Sequence, residues 1–135
     1  MAYKIKIFYS TGNSFGSEDV TDELELTWEN LDVAKANIKR IQEHYICYNV
    51  DSSSGGKKSH EYNNLSPEHK HMYDMREHQD WYYKGDRSYD NYHYSIILKA
   101  DNGNDYQIST FWVGYFETLY EVEIIADKSD MKIKF

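Results

Sequence analysis

Residues 3–9 read YKIKIFY, a strict two-residue alternation. Tyr3, Ile5, Ile7 and Tyr9 fall on one side, and Lys4, Lys6 and Phe8 on the other. Successive side chains of a strand point to opposite faces, so this run is committed to a strand with one buried face. The same period returns in LYEVEIIA, residues 119–126, where Tyr120, Val122 and Ile124 are expected inward and Glu121 and Glu123 outward. Between these runs the period changes. In ENLDVAKANIKRIQEHYICY, Leu31, Ala34, Ile38, Ile41, Tyr45 and Tyr48 recur every three or four residues. That spacing predicts an amphipathic helix, with Asn30 as N-cap and Asp32 suited to the first turn.

The remaining segments fill in around this frame. STGNSFGSED reads as a loop, and ELELTW as a second strand presenting Leu24, Leu26 and Trp28, so the two runs form a hairpin with a long tip. NVDSSSGGKKS has helix-breaking composition and predicts a mobile loop over about residues 49–64. Ser66 and Pro67 mark the start of a second helix with Met72, Met75, Gln79 and Tyr82 inward and Gly85 as its stop. Strands follow in YHYSIILKA, YQISTFW and LYEVEIIA, with a short last one at Met131, Ile133 and Phe135. The expectation is one α+β domain over residues 1–135: an antiparallel sheet of five or six strands with two helices packed on one face.

Composition narrows the function. A formal net charge of -8 over 135 residues argues against a general nucleic-acid binder. No apolar run approaches membrane length, and a lone Cys47 allows no intrachain disulfide, which fits a cytoplasmic chain. His71, Asp74 and His78 have helical spacing for one face, but a solvated polar face accounts for them better than metal ligation. Cys47 follows His44 by three residues at a helix C-terminus, which disfavours a thiolate, so a small buried thiol is the better account. The carboxylates are scattered, and no pair lies in apolar sequence of the kind that raises a general acid. The reading is of a chain that is not an enzyme, without catalytic residues, metal or cofactor.

Aromatic side chains make up 16% of the chain, 14 of them Tyr. Two stretches concentrate them. WYYKGDRSYDNYHY, residues 81–94, interleaves rings with Lys84, Arg87 and Asn91, and TFWVGYFETLYEVEII, residues 110–125, sets rings around Gly114. Rings stack on flat bases and basic side chains hold phosphates; rings also fill cores and seal interfaces. Trp112, Tyr115 and Phe116, with Arg87, Lys84, Arg76 and Asn91, are the candidate ligand-binding residues, the Gly114 bend gathering the rings at one cleft. Phe8, Ile97 and Phe111 on the outer side of their strands point to a homo-oligomer.

YKIKIFYSTGNSFGSED, LTWENLDVAKANIKRIQEHY and STFWVGYFETLYEVEIIAD together resemble the first described family of phage Thoeris anti-defence proteins, over the N-terminal third and the C-terminal quarter. The resemblance implies a sponge: a dimer or hexamer in the cytoplasm of an infected bacterial host. Such a protein binds a cyclic ADP-ribose isomer made by an immune sensor and withholds it, uncleaved, from the effector. Some members also hold cyclic oligonucleotides in separate pockets. The alternatives are a hydrolase or lyase that destroys the nucleotide signal, using His93 or His44, and an inhibitor that binds a host protein directly.

Overall fold

The computed structural model describes residues 2–13, 15–53, 55–82, 94–110, 116–126 and 132–135. The strands are β1 (Tyr3–Asn13), β2 (Gly16–Glu23), β3 (Tyr94–Lys99), β4 (Asp105–Thr110), β5 (Phe116–Ala126) and β6 (Lys132–Lys134), and the helices are α1 (Leu31–Ser52), α2 (His60–Asn63) and α3 (Pro67–Asp74). The architecture is α+β and antiparallel, but among the described residues the six strands form two sheets rather than one: a four-stranded sheet ordered β2-β1-β5-β6 and the separate β3-β4 pair.

The long first helix explains the division. α1 packs against β5 and β1 on one side and β3 on another. Most of its expected stripe is buried: Ala34, Ile38, Ile41 and Tyr45 join Ile5, Ile7, Tyr9, Val122 and Ile124 from the large sheet and Ile96 and Leu98 from β3, Tyr48 is buried outside that cluster, and Leu31 is half-buried. Asn30 caps the helix as expected, its carboxamide oxygen accepting from the Asp32 and Val33 N–H groups at 2.9 and 3.3 Å. A second anchor was not foreseen: the Asp101 carboxylate, in the β3–β4 turn, accepts from the N–H of Glu29 and of Asn30. α1 runs on through Val50 to Ser52, past the expected end at Tyr48, because Val50 is itself buried.

Four other expectations are corrected. The Gly- and Ser-rich STGNSFGSED is no loop; β1 continues to Asn13, and β2 starts at Gly16 with Asn13 opposite it. ELELTW is correspondingly not the second strand: Leu24 and Trp28 are buried as expected, but Trp28 meets β1 only at an isolated bridge to Tyr3. The segment after α1 carries a 3-10 turn at Gly56–Lys58 and then the single turn of α2. α3, capped by Ser66 with Pro67 at its start, ends at Asp74 and is followed by a 3-10 turn at Arg76–His78. Met72 is buried as expected, whereas Met75 is exposed, and α3 docks on α1 rather than lying beside it on one sheet face.

The alternation in β5 breaks at a bulge. Phe8 pairs with Glu121 and Tyr9 with Leu119, which leaves Tyr120 as the extra residue. Tyr120 is therefore 61% exposed instead of inward, and Leu119 takes the core side. Glu123, expected outward, lies between Lys6 of β1 and Lys134 of β6 and is 3% exposed. Phe8 on this outer face is half-buried, with Lys6 Nζ 5.6 Å from its ring centroid.

Candidate functional site

A second stripe runs along α1 beside the buried one. Lys35, Lys39, Gln42, Ile46 and Asn49 are spaced four, three, four and three, so they share a face. Together with Ile38 and Tyr45 they line one wall of a groove of about 670 Å³. The β5 bulge supplies Leu119 to the opposite wall. The C-terminal Phe135 joins it, held beside β5 by a 2.9 Å bond from its N–H to the Val122 carbonyl. α3 contributes His69. The floor is thus apolar, and the rim carries two ammonium groups, an imidazole and two carboxamides.

One acid borders this groove. Glu43 Oε2 accepts a 2.8 Å hydrogen bond from the Trp81 indole N–H, while Oε1 lies 3.8 Å from Lys39 Nζ. Glu43 and Lys39 also line a second recess of about 270 Å³ with Arg40, His78 and Asp80. There Arg40 is committed: it donates to the Ile97 carbonyl at 3.2 Å and to Asp80 at 3.3 Å.

No protein-family model, curated protein or solved structure matches the chain. The chemistry of the groove is therefore read from its own residues. Aliphatic and aromatic floors accept flat rings, amides offer both donors and acceptors, and lysines attract anions. In a chain of net charge -8, Lys35 and Lys39 set two positive charges against one negative, Glu43, along the groove.

Of the seven sequence-derived ligand candidates, two lie among the described residues, Phe116 and Arg76. Lys84, Arg87, Asn91, Trp112 and Tyr115 lie outside the described residues, as do His93, Phe111 and the Gly114 bend. Phe116 opens β5 opposite Gly12. Arg76 is described, and it is held by its neighbours. Its guanidinium carbon sits 4.2 Å from the Tyr73 ring centroid, Nη1 donates to the Tyr73 carbonyl at 3.0 Å, and Nε lies 3.6 Å from Asp51 Oδ2. Tyr73 donates to the same carboxylate at 2.5 Å, and burial with that bond pushes its phenol upward in pKa. Arg76 thus ties α3 to the end of α1.

His71, Asp74 and His78 do not share a helix face, because His78 lies in the 3-10 turn beyond α3. Asp74 pairs with Lys57 at 2.9 Å and accepts from Tyr62, contacts that hold its carboxyl below the ordinary range, the Lys57 hydrogen bond first. Cys47 is buried with its Sγ 3.6 Å from Met72 Sδ, and burial raises its thiol to about 12. His44 is buried, edge-on to Tyr45 and Trp81. The groove residues do not stand out in the sequence because the aromatic runs carry the stronger ligand signal; what marks them is the mixed-polarity stripe on α1.

Proposed function

We propose that this chain is a binding protein that sequesters a cyclic ADP-ribose-type signalling nucleotide without cleaving it, in the cytoplasm of an infected bacterial host, and so deprives an immune effector of its activator. The observation that carries the reading is the groove: about 670 Å³, lined by Lys35 and Lys39 together with the apolar Ile38, Ile46, Leu119 and Phe135. Ligand pockets commonly span about 300–1,000 Å³ and combine apolar walls with a few placed polar groups. A nucleotide has the matching halves, a flat base for the floor and phosphates for the lysines. The three sequence segments that resemble the Thoeris anti-defence family support the same reading, and two of them supply groove walls: α1 and β5.

A release assay tests it. The protein is incubated with cyclic ADP-ribose and its O-glycosidic isomers, freed of unbound nucleotide and heat-denatured, and the supernatant is assayed. Intact nucleotide returned in stoichiometric amount is the expected result. Disappearance of the nucleotide would instead identify a degrading enzyme. Absence of uptake would leave direct binding to a host protein as the remaining reading.

A further inference from the structure

Resting on the sequestration reading, we propose that Glu43 accepts a ribose hydroxyl of the bound nucleotide and makes the groove selective for ribosides. Its carboxylate is unevenly used. The side chain is only 16% exposed. Oε2 is fixed by the Trp81 indole N–H at 2.8 Å. Oε1 has, among the described residues, only the 3.8 Å approach of Lys39 Nζ, whose own side chain is 72% exposed. That distance is beyond a hydrogen bond. Oε1 is not sealed from solvent, so in the free protein it is left to water, and beside an anion-binding rim the carboxylate repels the ligand. A hydroxyl donor on the ligand takes the place of that water and offsets the repulsion. Carboxylates hold ribose hydroxyls in dinucleotide sites. A nucleotide brings such a donor within a few ångströms of its phosphates.

The competing role for Glu43, anchoring Trp81 alone, predicts an opposite sign. Glu43→Gln keeps an acceptor for the indole in its amide oxygen and removes one negative charge. If Glu43 only anchors, the variant binds an anionic nucleotide more tightly. If Glu43 accepts the hydroxyl, the variant binds more weakly and no longer distinguishes ribo from deoxy ligands.

The test is calorimetric titration of the full chain with cyclic ADP-ribose and its O-glycosidic isomers. It includes the analogues of each in which one free ribose hydroxyl is replaced by hydrogen. For wild type, one deoxy position is expected to weaken binding about tenfold or more, as loss of a charge-assisted hydrogen bond does. Glu43→Gln is expected to weaken the parent nucleotide to a similar extent and to bind parent and deoxy forms alike. Uniform affinity across the analogues for wild type overturns the inference while leaving sequestration standing, and that comparison needs no variant. Tighter binding by Glu43→Gln overturns it equally. No uptake of any probe by wild type overturns the sequestration reading itself and this inference with it.

Discussion

Asn37 hydrogen-bonds both backbone polar groups of Lys99. Its Nδ2 donates to the Lys99 carbonyl and its Oδ1 accepts from the Lys99 N–H, each at 2.8 Å. A single carboxamide on α1 thereby acts as the neighbouring strand that β3 lacks on that edge. Two residues away the substitution continues: the Ile97 N–H donates to the Trp81 carbonyl at 3.0 Å, and the Ile97 carbonyl accepts from Arg40. The Trp28 indole N–H also donates to the Lys99 carbonyl. An open strand edge buried in a core leaves orphaned backbone groups, and these side chains and the Trp81 carbonyl satisfy them.

Asn37 is 0% exposed, so removing it exposes that dependence. Asn37→Ala leaves the Lys99 N–H unpaired and is expected to destabilise the fold by about 1–3 kcal/mol. Asn37→Asp keeps the acceptor, loses the donor and buries a charge, so it is expected to be no better. Urea denaturation of both variants checks this; an Asn37→Asp protein as stable as wild type would show that the Lys99 carbonyl does not need the amide.

The bulge in β5 gives a paired contrast. Tyr120→Ser removes a side chain that is 61% exposed and is expected to change stability by no more than about 0.5 kcal/mol. Val122→Ala, two residues on and fully buried, is expected to cost about 2 kcal/mol. Regular alternation without the bulge would put Tyr120 on the inward face beside Val122 and make both substitutions costly.

These elements show where sequence reasoning reached and where it stopped. Both caps, Asn30 and Ser66, were legible because a helix start needs local acceptors for its free N–H groups, and Asn or Ser before an apolar-periodic run supplies them. β2 was not legible, because GSEDVTDE is mostly exposed and a strand that buries little carries little alternation; its state is set by pairing with β1. The bulge at Tyr120 depends on the register of two distant strands, and Asn37 reads as one more polar helix residue until β3 is placed beside it. Of the candidate site, the Lys35-to-Asn49 stripe was present in the sequence, but Leu119, His69 and Phe135 join it only through tertiary packing.

Cys47 offers a probe of the core. Its thiol is buried and raised to about 12, mainly by burial and next by Asp51, so at pH 8 it is almost wholly un-ionised and unreactive. Labelling by an aromatic disulfide reagent is expected to be slow in buffer and rapid in denaturant. Prompt labelling of the native protein at pH 8 would contradict the burial.

Asp22 predicts a pH-dependent gain. Burial first, and the nearby Glu25 second, push its carboxyl above its ordinary value of 3.8. A carboxyl whose folded pKa is raised contributes stability below its unfolded value, and that contribution is lost as pH rises through the folded one. At neutral pH ionised Asp22 is therefore a net burden. Asp22→Asn is expected to stabilise the protein at pH 7 by up to about 0.5 kcal/mol, the gap closing as pH falls below about 4. Thermal melts of both proteins at pH 7 and pH 3.5 check the sign; a variant less stable than wild type at pH 7 would refute it.

Lys35 and Lys39 carry the functional prediction. Both lie on the rim of the groove, and both are exposed, so neither contributes much to folding; the Lys39 contact with Glu43 is a long surface pair. Lys35→Ser and Lys39→Ser are each expected to leave the melting temperature within a few degrees of wild type. Each is expected to weaken retention of the cyclic nucleotide about fivefold to tenfold, on the order of 1–1.4 kcal/mol. The double variant should lose most retention at physiological salt, and the affinity of wild type should fall as salt rises, since exposed ammonium–phosphate attraction is screened. Equilibrium dialysis at two salt concentrations with the two single variants and the double supplies the measurement. Undiminished retention by the double variant would place the nucleotide somewhere other than this groove.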